Sequence, residues 1–302
     1  MKISVFAPAR NEEGNIRLFI EKVHNAFTKN KLDGDIFVVN DGSSDKTGEI
    51  LNELRKKYTN LNVVHNKKTL GITEDMNIAF NKLNGDIIIF LCSDLESNPE
   101  EDIPKLIKPI IEENYDMTVG WRSNKKTGII KSFTSFVFNF LSSWIFKVKL
   151  HDMNWIKAFK KEAIKDVLPL RSNWHRYLAI LITNKGYKIK EVKTNWYPRH
   201  YGKSNFGKSG LGRLYIGLLD LVLIKFYTSF SKNPMLLFAL PGAMMMGLGF
   251  LIGLYLLHLW ITGIELGRTL YLSILLIIMG TQLFALGFIM ELISSLKQEL
   301  KK

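Results

Sequence analysis

Gly85-Asp86-Ile87-Ile88-Ile89-Phe90-Leu91-Cys92-Ser93-Asp94-Leu95-Glu96 is the stretch on which the fold reading turns. Its apolar run, Ile87 to Leu91, is rich in β-branched and aromatic residues and predicts a strand buried on both faces, as inside a parallel sheet. Asp94 and Glu96 follow just past the strand's carboxyl end, where open α/β sheets gather their ligands. Two carboxylates at that spacing suit a hard divalent cation, Mg2+ or Mn2+. The plainer alternative is a solvated acidic turn before the helix that Pro99-Glu100-Glu101 begins, and these twelve residues leave both readings open.

Outward from this strand the chain alternates. Residues 2–7, 36–39, 61–64 and 117–119 read as further strands, with helices over 14–30, up to Lys57, over 73–83 and over 103–113. In the first helix Ile16, Phe19, Ile20, Val23 and Phe27 recur at helical spacing. Strands and helices alternating at this length predict βαβ units and a doubly wound, mainly parallel sheet. Polar clusters fall at successive strand ends: Pro8 to Glu13, Asp41 with Gly42, and Asp94 with Glu96. In such a sheet those ends share one rim, so the three clusters are expected to meet in one crevice. No GxGxxG sequence occurs, and although Gly202 to Ser209 fits the bare Walker A spacing it does not directly follow a strand, so a dinucleotide or P-loop site has no support.

Beyond Gly120 the rhythm changes. Residues 129–148 form an aromatic-rich amphipathic segment, either a core-packing helix or one lying against a bilayer. A strand-like stretch follows at 155–159, then a helix over 174–184 and a strand over 188–193. Residues 211–230 read as an interfacial helix, with Arg213 and Lys225 at its polar margins and Leu214, Leu218, Leu221, Val222 and Phe226 on its apolar side.

The 302 residues are 47% hydrophobic, and the apolar content is concentrated near the C-terminus. No Asp, Glu, Lys or Arg occurs over 235–264 or over 270–290. Each run exceeds the roughly 20 residues that span a bilayer, so a helical hairpin is expected, with spans at about 235–261 and 270–293. This divides the chain into a domain over 1–210, an interfacial helix over 211–232 and a membrane hairpin over 233–302. The net charge of +13 resides in two windows: 121–165 carries ten Lys/Arg against two acids, and 197–232 carries six against one. Basic residues beside membrane spans mark the cytoplasmic side, which puts both termini there in a multi-pass protein of the cell membrane. No nucleic-acid recognition motif accompanies the charge, so anionic lipid is the expected partner and nucleic acid is not. Cys92 is the single cysteine, which excludes an internal disulfide and fits a reducing compartment.

Pro8-Ala9-Arg10-Asn11-Glu12-Glu13, Asn40-Asp41-Gly42-Ser43, Gly85-Asp86, Ser93-Asp94-Leu95-Glu96 and Pro198-Arg199-His200-Tyr201-Gly202-Lys203-Ser204, taken in order, resemble the family 2 inverting glycosyltransferases. His175-Arg176-Tyr177, Gly186-Tyr187-Lys188, Glu191-Val192 and Pro198-Arg199 are similar in order and spacing to the polyprenyl-phosphate branch of that family. The resemblance implies a GT-A fold and a hexosyltransferase that moves sugar from a GDP- or UDP-sugar to dolichyl or undecaprenyl phosphate at the cytoplasmic membrane face. By that analogy Pro8, Ala9, Glu12, Asp41 and Ser93 hold the donor, and Asp94 with Glu96 holds the metal. A lipid monophosphate, with a second pKa of about 6, is mostly a dianion at neutral pH and needs cations more than a base. Arg122, Lys131, Arg199 and Lys203 are the candidates, with Ser135 as a hydroxyl donor; Asp94, Arg122, Arg199 and Lys203 are the expected catalytic set.

Some positions depart from the family pattern. Cys92 stands where Asp is usual, Glu96 where Gln is usual, Asn40 replaces one of two common aspartates, Asn205 stands where Lys is common, and Asp152 to Lys157 lacks a Ser-Gly-Phe element. The rivals are a family 2 enzyme with another lipid or glycan acceptor, and a membrane-tethered binding protein. Two spans and no Gln-x-x-Arg-Trp sequence argue against a processive synthase. A homo-oligomer is left open.

Overall fold

The computed structural model describes residues 1–124, 145–146, 148–171, 173–202, 217, 219–226, 228, 234–265 and 267–299. Seven strands form one sheet: β1 Ile3–Ala9, β2 Gly34–Asp41, β3 Leu61–Asn66, β4 Ile87–Phe90, β5 Met117–Arg122, β6 Lys157–Lys160 and β7 Ile189–Thr194. Their order is β3-β2-β1-β4-β6-β5-β7. β1 pairs in parallel with β2 and with β4, whereas β6 runs antiparallel between β4 and β5. The mainly parallel sheet expected from the alternation is present. Its one reversed strand is the 155–159 stretch, whose direction no periodicity could reveal.

The helices of the first unit, Met1–Asp220, are α1 Ile16–Lys29, α2 Thr47–Lys57, α3 Ile72–Phe80, α4 Pro99–Glu112, α5 Lys161–Lys165 and α6 Leu178–Asn184. α6 is preceded by a 3-10 turn, Trp174–Tyr177, so the helix expected over 174–184 starts one tight turn later. In α1, Ile16, Phe19, Ile20, Val23, Ala26 and Phe27 are all buried. At about 1.5–3 kcal/mol for each large side chain removed from water, this stripe is what holds α1 to the sheet. Val5, Ala7, Val38 and Ile89 face the same core. On the opposite face Phe6 stacks on Phe90 at 5.9 Å and meets Phe80 edge-on at 5.7 Å. Alternate strand residues thus feed two cores, which is why these strands read as continuous apolar runs.

The second unit, Leu221–Lys302, contains two long helices, α7 Pro234–Ile261 and α8 Thr269–Glu299. Both are apolar and long enough to cross a membrane, and only 17% of each apolar window is buried. They pack on small residues: a Cβ on Gly242 would lie 2.7 Å from the Gly280 carbonyl oxygen, and one on Gly280 equally close to that of Gly242. Ser273 Oγ also donates to the Gly249 carbonyl at 2.7 Å. Close backbone approach of this kind is how helices associate in lipid, where no hydrophobic force draws them together. Gly263, with φ +82°, closes α7: the Ile264 and Gly263 N–H groups return to the Leu259 and Trp260 carbonyls.

Residues 219–226 are helical within the proposed interfacial segment, and there Val222 and Phe226 are exposed while Leu221 is buried. Most of the 129–148 segment lies outside the described residues, as do Arg213, Leu214 and Leu218.

Candidate active site

β1 and β4 are neighbours in the sheet, but the chain leaves β1 toward β2 on one side and reaches β4 only after β3. The strand order therefore reverses between them, and open α/β sheets gather their ligands beyond the carboxyl ends at such a reversal. Two of the three polar clusters border it. Glu12 comes from the loop after β1, and Asp94 and Glu96 come from the turn after β4.

All three carboxylates converge on Arg199, which reaches them from beyond β7. Its Nη2 donates to Asp94 Oδ2 at 2.6 Å and its Nε to Glu96 Oε1 at 3.1 Å. Its Nη1 lies 3.6 Å from Glu12 Oε1. Backbone geometry makes this convergence. Leu95 has φ +58°, a left-handed conformation that costs an apolar residue about 1–2 kcal/mol, and its side chain is buried in the core. With Leu95 so anchored, the acids on either side of it both meet one guanidinium.

The remaining oxygens are also engaged. Asp94 Oδ1 accepts the Glu96 N–H at 3.1 Å, and Glu96 Oε2 accepts Trp196 Nε1 at 3.0 Å. Asn15 Nδ2 donates to Glu12 Oε2 at 2.5 Å. Burial pushes the carboxyls of Glu12 and Asp94 above their ordinary values, even though Arg199 acts in the opposite sense. Burial also works against the Arg199 charge, but Asp94, Glu96 and Glu12 outweigh it and hold its pKa above the usual value. Three carboxylates facing one guanidinium leave this centre short of positive charge. An oxygen-only donor set with unbalanced negative charge fits a hard divalent cation, so Asp94 and Glu96 remain suitable metal holders. Among the described residues no group of three or more His, Cys, Asp or Glu is arranged as a metal cage.

The first and second polar clusters are laced together. The Asn11 N–H donates to Ser43 Oγ at 3.0 Å, Ser44 N–H to Asn11 Oδ1 at 2.9 Å, and Glu12 N–H to Thr47 Oγ1 at 2.9 Å. Ser93 Oγ donates to the Pro8 carbonyl at 2.8 Å, tying β1 to the acidic turn. Asp41 is committed differently. It accepts the backbone N–H groups of Leu70 at 2.6 Å and Gly71 at 3.0 Å. Gly42, at φ +60°, lets that loop approach, since a Cβ there would lie 2.7 Å from the Thr69 nitrogen. Pro8 and Ala9 end β1 beside these loops.

Arg122, at the end of β5, donates to Asp152 through Nε at 2.5 Å and Nη2 at 3.0 Å. Its guanidinium also lies 4.4 Å from the Trp155 ring centroid. Asp152 is itself held: Glu191 Oε1 accepts the N–H groups of His151 at 2.7 Å and Asp152 at 3.1 Å. Lys131, Ser135 and Lys203 lie outside the described residues. His175 is buried and hydrogen-bonded to Thr73 Oγ1 at 2.7 Å.

Three features of the site were not anticipated. Asp152 and Glu191 position Arg122. Asp75 stands beside Asp41, with Asn66 Nδ2 donating to both, at 2.9 and 3.2 Å. Lys157, fully buried on β6 opposite Phe90, donates to the Trp155 carbonyl at 2.7 Å, and burial lowers its pKa to about 8. A lysine inside the apolar run Trp155 to Phe159 was the one sequence signal for this buried charge. Burial, with Asp94 nearby, pushes the Cys92 thiol far above its ordinary value.

The reversal of strand order, the acidic turn at it and the laced loops define a glycosyltransferase of the GT-A type. Residues 4–167 match glycosyl transferase family 2, and the chain belongs to that family. It is 28% identical to dodecaprenyl-phosphate galacturonate synthase of Rhizobium johnstonii over 309 residues, covering 97% of this chain and 88% of the relative. It is 26% identical to undecaprenyl-phosphate 4-deoxy-4-formamido-L-arabinose transferase of Photorhabdus laumondii, over 99% of this chain and 91% of that protein. In fold it is similar to glucosyl-3-phosphoglycerate synthase from Mycobacterium tuberculosis in complex with Mn2+, UDP and phosphoglyceric acid. That likeness has a TM-score of 0.55 and 20% identity and covers 74% of this chain and 78% of that one. A mannosyltransferase from Pyrobaculum calidifontis in complex with GDP-Man and Mn2+ superposes with a TM-score of 0.53 at 15% identity, over 75% of this chain and 63% of that one.

Proposed function

We propose that this protein is an inverting, metal-dependent hexosyltransferase that moves a sugar from a GDP- or UDP-sugar to a polyprenyl phosphate at the cytoplasmic face of the membrane. The observation that carries this reading is the convergence of Asp94, Glu96 and Glu12 on one cationic point at the β1/β4 reversal. Supporting it, the polyprenyl-phosphate transferases to which the chain is similar match it over 97–99% of its length, so the likeness includes α7 and α8.

In the reaction a phosphate oxygen of the lipid attacks the anomeric carbon as the bond from that carbon to the diphosphate breaks, which inverts the configuration. The nucleoside diphosphate leaves with the bonding electrons. A divalent cation between Asp94 and Glu96 would stabilise charge developing on the leaving diphosphate. Pro8, Ala9, Glu12, Asp41 and Ser93 would line the nucleoside side, with Asp41 acting through the Leu70–Gly71 backbone it holds. Arg122, kept in register by Asp152, would present its other guanidinium edge to the acceptor phosphate, together with Arg199, Lys131, Ser135 and Lys203. No strong general base is required, because the attacking phosphate is already ionised.

The test is incubation of the full chain, purified in detergent, with radiolabelled nucleotide sugars, polyprenyl phosphate and Mn2+. The expected product is a mild-acid-labile, lipid-linked sugar that Asp94→Ala does not make. Labelled product on diacylglycerol or glycan alone would replace the acceptor assignment. No labelled product with any donor would overturn the reading.

A further inference from the structure

Arg199 holds each of the two carboxylates through one oxygen. Asp94 Oδ2 and Glu96 Oε1 are bridged by adjacent nitrogens of one guanidinium edge, Nη2 at 2.6 Å and Nε at 3.1 Å. The other oxygens each accept one hydrogen bond, Asp94 Oδ1 from the Glu96 N–H and Glu96 Oε2 from the Trp196 indole. A cation shared through Asp94 Oδ2 and Glu96 Oε1 competes with Arg199 for both. The third nitrogen, Nη1, already points to Glu12 at 3.6 Å, so the guanidinium has a second anion to retain.

We infer that Arg199 is the resident counter-cation of the acidic centre and gives up Asp94 and Glu96 when a divalent metal enters, keeping Glu12 or turning to a phosphate. Charge counting supports the exchange. With Arg199 alone the three carboxylates carry two uncompensated negative charges. After exchange, a divalent ion balances Asp94 and Glu96 while Arg199 balances Glu12. Arg199 side-chain exposure is 17%, so the ion pairs it leaves are poorly screened and its hold on the carboxylates is a real competitor for the metal. Exchange has a functional corollary: the arginine becomes free for an anionic substrate only when the metal is in place, which couples phosphate capture to metal loading.

This inference rests on the metal reading given above, and its test separates the two. Mn2+ binding to the full chain in detergent, without nucleotide, is measured by the electron-paramagnetic-resonance signal of free Mn2+, for the wild type, Arg199→Gln, Arg199→Lys and Asp94→Asn. Competition predicts that Arg199→Gln binds Mn2+ about tenfold or more tightly than the wild type. Arg199→Lys, a cation without the bidentate fork, should fall between them. If Arg199→Gln is unstable without metal, Mn2+ should raise its melting temperature more than it raises that of the wild type. Equal or weaker binding by Arg199→Gln, with Asp94-dependent binding intact in the wild type, overturns the exchange and leaves the metal site standing. Absence of Asp94-dependent binding in both the wild type and Arg199→Gln overturns the metal site as well.

Discussion

Arg122 and Asp152 form a two-pronged ion pair, with Nε to Oδ2 at 2.5 Å and Nη2 to Oδ1 at 3.0 Å, on a rim where both side chains are largely shielded. The pair fixes the plane of the guanidinium over Trp155 and leaves its other edge to act. Asp152→Asn keeps the shape but loses the paired acceptor oxygens. It is expected to raise the KM for the lipid acceptor about tenfold, with little change in nucleotide-sugar KM. Steady-state kinetics with each substrate varied in turn checks this. An equal rise in both would place Arg122 elsewhere in the reaction.

The acidic turn should behave as a unit. Asp94→Ala and Glu96→Ala each remove the oxygen ligands of one side chain, and each is expected to lower kcat by about 100-fold or more. Their double variant should lose little beyond the worse single one, since both act on the same cation. Circular dichroism establishes that the variants remain folded.

Lys157 is a fully buried ammonium whose pKa is lowered, chiefly by burial, to about 8 from an ordinary 10.5. Between those values the unfolded chain binds the proton more tightly than the folded one. Stability from this group therefore rises as pH climbs from about 8 to about 10.5, and below pH 8 the cost of charging it is constant. Lys157→Met should raise the melting temperature at pH 7 by several degrees, and the gain should shrink toward pH 10. Differential scanning fluorimetry across that range checks it.

Asp75 behaves oppositely. Burial, and after it the neighbouring Asp41, pushes its carboxyl up to about 7 from 3.8, and its Oδ2 has no hydrogen-bond partner among the described residues. Here the folded state holds the proton more tightly, so stability falls as pH rises from about 4 to about 7. Asp75→Asn should melt several degrees above the wild type at pH 8, and the two should converge near pH 4.

In the hairpin, Gly280 has no room for a side chain against Gly242 and Met246. Gly280→Leu should separate α7 from α8. Ala239 and Gly287 are adjacent across the hairpin, so Ala239→Cys combined with Gly287→Cys should cross-link efficiently in an otherwise wild-type chain. The same pair should cross-link poorly once Gly280→Leu is added. Efficient cross-linking in both backgrounds would show that the glycine contact is dispensable.

What the sequence alone determined is whatever depends on neighbours a few residues away. The continuous run Ile87 to Leu91 announced a strand covered on both faces, and α1 was legible from its apolar spacing. The two uncharged segments announced the long apolar helices, and the order of short motifs announced the family. The carboxylates Asp94 and Glu96 were legible as a candidate pair, because they follow the carboxyl end of a buried strand, where open α/β sheets gather their ligands. What only tertiary structure decided depends on side chains far apart in the chain meeting at one point. Arg199 lies 103 positions beyond Glu96 and 105 beyond Asp94, and no local pattern could show that it would bridge both acids. The antiparallel direction of β6, the burial of Lys157 and the hold of Asp152 on Arg122 arise in the same way. Periodicity encodes which face of an element is buried, whereas charge partners are chosen by the path of the whole chain.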